Sequence, residues 1–221
     1  MIYLIVILLF LVFMFYASYS IKSNIYVRAF CEKETLERVV AITFDDGPDT
    51  VQTPKILDVL QEYEVQACFF CIGNKIENNE ELIQRIAFEG HLIGNHSYSH
   101  TNWFPFYGKR RMNNDLRLCQ QKLEKVTQEK ITLFRPPFGV TNPTIGSVVK
   151  KMGFTVIGWS IRSLDTQQSS SEKVLQRIQR QLHPGAIILL HDTLPQSELL
   201  LKMILDLLAD EGYKIKRLDL M

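Results

Sequence analysis

From residue 39 onward the hydrophobic positions alternate between two periods. Short apolar and β-branched runs stand at Val39–Phe44, Val65–Phe70, Leu92–Ile93, Ile131–Phe134, Phe154–Gly158, Ala186–Leu190 and Tyr213–Leu218. These runs are nearly continuous in apolar residues, as strands buried on both faces require. Between them, apolar residues recur at helical spacing. Ile56, Leu60 and Tyr63 make the first stripe, and Leu82, Ile83 and Ile86 the second. Met112, Leu116, Cys119, Leu123 and Val126 make the third, and Ile145, Val148, Val149 and Met152 the fourth. Val174, Leu175, Ile178 and Leu182 follow, and Leu199, Leu200, Met203, Ile204, Leu207 and Leu208 define the last. Thr53–Pro54, Asn142–Pro143 and Ser171 are the expected helix starts, since a capping side chain or a first-turn Pro suits that position. Strand–helix alternation predicts a parallel sheet covered by helices. An open doubly wound sheet and a closed barrel both fit, and either places chemistry at the C-terminal ends of the strands.

The first residues follow a different pattern. Met1 to Ile21 carries no charged side chain, and about twenty apolar residues suffice to cross a bilayer core as a helix. Tyr16 and Tyr19 sit near its end, where amphipathic rings favour the interface. The expected organisation is a membrane anchor or signal segment over 1–21, a linker over 22–36 and one folded domain over 37–221. Ser18 and Ser20 leave a cleaved signal open, and a buried core helix is a third reading. Lys22, Arg28 and Lys33 follow the segment and by the positive-inside tendency would keep the remainder cytoplasmic.

Composition narrows the classes. The chain has 221 residues, 25 Lys plus Arg, 24 Asp plus Glu, and 46% hydrophobic residues. That is too apolar and too weakly charged for a disordered chain. A formal net charge of +1 removes the bulk electrostatic case for nucleic-acid binding. Cys68 and Cys71 have CxxC spacing, but on a strand they would face opposite sides and read as buried thiols. Cys31 and Cys119 could be free or bridged.

Polar residues cluster where such a sheet should carry its chemistry. The first run ends in Asp45-Asp46-Gly47-Pro48, and two adjacent carboxylates there call for a partner such as a divalent cation. The third run leads into His96-Ser97-Tyr98-Ser99-His100. Imidazoles four apart on one helical turn would share a face and chelate one ion. Arg135 ends the fourth run, where it could clamp a carboxylate, ahead of the stiff Pro136-Pro137 pair. His191 ends the sixth and suits proton transfer near neutral pH. His91 and His183 precede strands instead, so they belong at the opposite face as structural residues.

TFDDGP at Thr43–Pro48, HSYSH at His96–His100, RPPFG at Arg135–Gly139 and LLHD at Leu189–Asp192 occur in one order. Together they resemble the polysaccharide deacetylases with the NodB homology domain, carbohydrate esterase family 4, from about residue 37 to the end. The resemblance implies an α/β fold, a distorted (β/α) barrel with about seven parallel strands, preceded here by the hydrophobic helix. It implies hydrolysis of N-acetyl, occasionally O-acetyl, groups on a glycan such as peptidoglycan or chitin. It makes Asp45 the general base, oriented by Arg135, and His191 the general acid. Asp46, His96 and His100 become ligands of a divalent metal, usually zinc, sometimes cobalt. The backbone N–H of Phe138, a position commonly Tyr in the family, would bind the oxyanion. Pro137 and Trp159 are further oxyanion or substrate-binding candidates. The family's fourth motif is altered: Arg162 replaces an acidic residue and Thr166 a Trp, while Asp165 keeps the second acid and is expected to support the site. The implied partners are an acetylated glycan and, through residues 1–21, a membrane, with the folded domain outside the cytoplasm. A deacylase of small amides and a glycan-binding barrel without turnover are the alternatives.

Overall fold

A computed structural model describes residues 2–167 and 170–221. The apolar segment is helix α1 (Ile2–Tyr19). The elements that follow are β1 (Ala29–Phe30), β2 (Val39–Asp45), α2 (Gln52–Glu62), β3 (Cys68–Cys71), α3 (Glu80–Phe88), β4 (Leu92–Asn95) and α4 (Lys109–Thr127). Then come β5 (Leu133–Phe134), α5 (Pro143–Met152), β6 (Thr155–Ile157), β7 (Ile161–Arg162), α6 (Ser171–Gln181), β8 (Ala186–His191), α7 (Ser197–Asp210) and β9 (Lys214–Ile215).

All pairings between named strands are parallel, in the order β1-β6-β5-β4-β3-β2-β8-β7, with β9 beside β2. The sheet curls into the expected distorted barrel. Glu32 makes an antiparallel bridge to Ala186, which carries the chain after β1 across the gap toward β8. The seven predicted strands are present with shifted ends. β1 and β7 are additional, and each is two residues long, too short to show a period in sequence.

Period-two alternation sorts the core. Along β2, Val40, Ile42 and Phe44 face outward into the layer under α2, α3, α6 and α7. Ala41 faces the barrel interior with Cys68, Phe70, Ile157 and Ile187, and Leu218 joins them. Thr43 and Asp45 continue that inner row toward the C-terminal end. Cys68 and Cys71 accordingly belong to different clusters, and all four cysteines are buried and free.

Helix starts differ in detail. Asn142 caps α5 through its side chain, accepting from the Ile145 N–H at 2.9 Å. α6 is capped by Ser170, one residue before the expected Ser171. α2 begins at Gln52, where Asp49 Oδ1 accepts the N–H groups of Val51 and Gln52. Thr53 instead turns its hydroxyl to Asp192. Within the segment 22–36, Val27, Ala29 and Cys31 are buried against Phe154 and Val156, while Leu36 is exposed.

Candidate active site

The site is built at the C-terminal mouth of the barrel. β2 and β8 are neighbours in register, so Asp45 and His191 stand directly opposite one another. Asp45 is the inward-facing last residue of β2. Arg135, fully buried after β5, donates from Nη1 to Asp45 Oδ1 at 2.7 Å and to Thr43 Oγ1 at 2.8 Å. Its Nε donates to the Ile157 carbonyl and its Nη2 to the Gly158 carbonyl. Phe70 lies under the guanidinium, 4.2 Å from ring centroid to Cζ. A buried charge is tolerable only when it is paired and its remaining donors are satisfied, and Arg135 meets both conditions.

Asp46 leaves the strand in the left-handed region (φ 75). Its carboxylate and that of Asp45 both approach His96, with Asp45 Oδ2 3.7 Å from His96 Nε2. Asp46 Oδ1 lies 3.5 Å from His96 Nε2 and 3.3 Å from His100 Nε2. The ligand atoms of these three residues all lie within 4.8 Å of one another.

The histidines do not share a helical turn, contrary to the spacing argument. Residues 96–100 form an irregular bend, with positive φ at Ser97 (65) and His100 (43). Hydrogen bonds impose that shape. Asp115 on α4 accepts the N–H groups of Tyr98 and Ser99, Asn95 accepts that of Ser97, and Ser97 Oγ accepts that of His100. His96 Nδ1 lies 2.8 Å from the Arg135 carbonyl. Donation there leaves Nε2 with its lone pair toward Asp46.

The electrostatics suit a cation. Burial and the charge of His96 lower the pKa of His100 to about 4, so it is neutral at pH 7. Burial opposes ionisation of Asp46, but the neighbouring His96, with His100 and His191, holds it well below the usual carboxylate range. His100 Nε2 is buried without a hydrogen-bond partner. One carboxylate and two imidazoles with an orphaned buried lone pair fit a divalent metal with positions left open.

On the other side, Asp165 accepts both the Nδ1–H of His191 (Oδ1, 2.7 Å) and its backbone N–H (Oδ2, 2.8 Å). Burial disfavours the imidazolium, but Asp165 outweighs it, with help from Asp45 and Asp46, and raises the His191 pKa to about 9. His191 Nε2 then points into the site, 3.9 Å from Asp46 Oδ2.

Phe138 sits at φ 62 on the rim, its ring 4.9 Å from that of His100. Beside it, a Cβ on Gly139 (φ +69) would lie 2.5 Å from the Trp159 ring, so Trp159 backs this loop, in which Pro137 is itself buried. The Arg162 side chain is exposed, and its carbonyl accepts from Arg177 Nε. Thr166 donates its N–H to Asp165 Oδ1. His91 and His183 lie before β4 and β8, away from the site. His91 Nδ1 accepts the Ala67 N–H.

Sequence reasoning missed Thr43, Asp115 and Asp192. Thr43 was legible from the alternation of β2, whereas Asp115 lies on a helix far along the chain. Burial raises the Asp192 pKa to about 7, although the Thr53 hydroxyl bond opposes it. Asp192 Oδ2 packs so close to Gly47 that a Cβ there would overlap it.

The polysaccharide deacetylase family model matches residues 32–157. The chain belongs to the polysaccharide deacetylase family. It is 34% identical over 183 residues to a peptidoglycan-N-acetylglucosamine deacetylase of Bacillus cereus, covering 80% of this chain and 85% of that one. It is 31% identical over 195 residues to a peptidoglycan-N-acetylmuramic acid deacetylase of Bacillus subtilis, covering 86% of this chain and 74% of that one. A crystal structure of a peptidoglycan N-acetylglucosamine deacetylase with a bound N-hydroxybenzamide superposes with a TM-score of 0.82 at 31% identity, covering 87% of this chain and 91% of the other. A carbohydrate esterase family 4 pseudoenzyme from Bacillus anthracis matches with a TM-score of 0.80 at 25% identity, covering 87% of this chain and 68% of that one. This polysaccharide deacetylase therefore shares its fold both with peptidoglycan deacetylases and with a pseudoenzyme, and its side chains must carry the finer assignment.

Proposed function

We propose that this polysaccharide deacetylase is a metal-dependent hydrolase that removes N-acetyl groups from a peptidoglycan-like or chitin-like glycan. The observation that carries this reading is the convergence of Asp46, His96 and His100 between Asp45 on one side and His191 on the other. Asp46, His96 and His100 would hold the ion, zinc in the first instance and cobalt as an alternative. A divalent ion there supplies Lewis acidity to water and to the acetyl carbonyl.

The chain's own groups divide the remaining work. Asp45 takes a proton from the attacking water, while Arg135 keeps its carboxylate aimed. The Phe138 N–H donates to the developing oxyanion. His191, protonated at neutral pH, delivers its Nε2 proton to the leaving amine, a poor leaving group otherwise. Asp165 is a positioning residue that fixes the tautomer and charge of His191. Acetate and a free amino sugar result.

Residues 1–21 would anchor the enzyme and 37–221 carry catalysis, with residues 22–36 joining them. Because the relatives act on peptidoglycan, the domain would lie outside the cytoplasm, against the tendency of Lys22, Arg28 and Lys33. A reporter fused to the C terminus reads the orientation directly.

The deciding assay is acetate release from N-acetylglucosamine oligomers by the full chain, stripped of metal and then resupplied with zinc or cobalt. Release that returns with metal and disappears in Asp45→Asn supports the reading. No release from a protein that still binds one equivalent of metal would move the assignment to another acyl substrate or to binding alone.

A further inference from the structure

The end of α1 is fastened to the loops that carry the site. Ala17 is fully buried, and its carbonyl accepts both Ser23 Oγ at 3.1 Å and Thr141 Oγ1 at 3.2 Å. The Thr141 N–H donates to the Ser18 carbonyl at 2.9 Å. Thr141 closely follows the rim residues Phe138 and Gly139. The rest of the helix stands clear of the domain, with Ile2 through Phe13 exposed. At about 1.5 Å per residue, this helix nearly matches a bilayer core.

Beside this junction lies an uncovered aromatic patch. Trp103 is 70% exposed and Phe106 78%. They pack edge to face, with centroids 6.0 Å apart. A groove of about 360 Å³ connects Phe106 to Tyr19 on one side and to Phe138 at the site on the other. Both Trp103 and Phe106 belong to the loop just after His100. The chain then turns into Lys109 and Arg110, both exposed and without an ion pair among the described residues.

Large aromatics left in water need a cover, and the neighbouring helix identifies it. Side chains flanking the end of a spanning helix lie at headgroup level, where Trp and Tyr are favoured and Lys and Arg meet anionic lipid. We propose that Tyr19, Trp103 and Phe106 seat in the headgroup region of the bilayer spanned by α1, with Lys109 and Arg110 on anionic headgroups. The mouth of the site beside Phe138 is thereby held at the membrane surface, and the glycan within reach is glycan at the bilayer face. This inference rests on α1 spanning the membrane.

The test uses the full chain in liposomes of phosphatidylcholine and phosphatidylglycerol, with and without bromine on the lipid chains near the glycerol. The protein has two tryptophans, and the difference between wild type and Trp103→Phe isolates Trp103. The expected result is loss of the Trp103 emission in brominated lipid, with Trp159 emission retained. Alkaline carbonate extraction separates the two claims. Protein that stays in the pellet but keeps unquenched Trp103 overturns the seating and leaves the anchor intact. Protein released by carbonate overturns both. The readout needs no activity, so a failed deacetylase assay leaves it unaffected.

Discussion

His191 Nδ1 lies 2.7 Å from Asp165 Oδ1, and the same carboxylate accepts the His191 backbone N–H through Oδ2. One buried side chain thus sets both the position and the protonation of the candidate acid. The altered fourth motif keeps the residue that makes this contact.

The His191 pKa is raised from 6.5 to about 9, so the protonated acid persists up to that pH and activity should fall as pH rises through about 9. The same shift contributes stability that is fully present below 6.5 and lost as pH rises through the folded value. Asp165→Asn removes the main source of the shift. The alkaline limb of kcat/KM should move toward neutral pH, while His191→Gln should cost about 10²–10⁴-fold. An unmoved limb in Asp165→Asn would remove its positioning role.

The two adjacent carboxylates should separate by experiment. Asp45 is held by Arg135, and Asp46 faces the two imidazoles. Asp46→Asn should lose metal in a calorimetric titration. Asp45→Asn should keep metal and lose most turnover. Equal metal loss in both variants contradicts this division.

Asp115 touches no candidate ligand yet holds the N–H groups of Tyr98 and Ser99. Asp115→Ala should relax the bend between His96 and His100. Metal affinity should drop by about 10–100-fold, the usual cost of losing support behind a ligand. The check is competition with a chromogenic chelator, alongside a circular dichroism spectrum that should match wild type.

Arg135→Lys tests the buried guanidinium. A single ammonium cannot serve Thr43, Asp45, Ile157 and Gly158 together. Each buried acceptor left unpaired costs about 1–3 kcal/mol. The variant should melt several degrees lower and turn over more slowly, as read by thermal unfolding and acetate release.

Arg162 should matter little. Its side chain is exposed, and surface changes of this kind fall within about 0.5 kcal/mol. Arg162→Ala should leave both the melting temperature and the alkaline limb in place, unlike Asp165→Asn.

The sequence by itself determined the candidate site residues and at which end of the sheet they fall. Apolar strands flow straight into Asp45-Asp46, Arg135 and His191, and strand polarity alone sends those side chains to one mouth. It also determined that the chain starts with a membrane-length apolar segment. What it could not supply were relations between distant residues. The register that sets Asp45 opposite His191, the reach of Asp115 from α4, and the docking of Ala17 on Thr141 all join separate parts of the chain. The four-residue spacing of His96 and His100 pointed to a helical turn that does not form. Local spacing records how many residues separate two ligands, whereas the backbone path between them is set by the tertiary hydrogen bonds that claim its N–H groups.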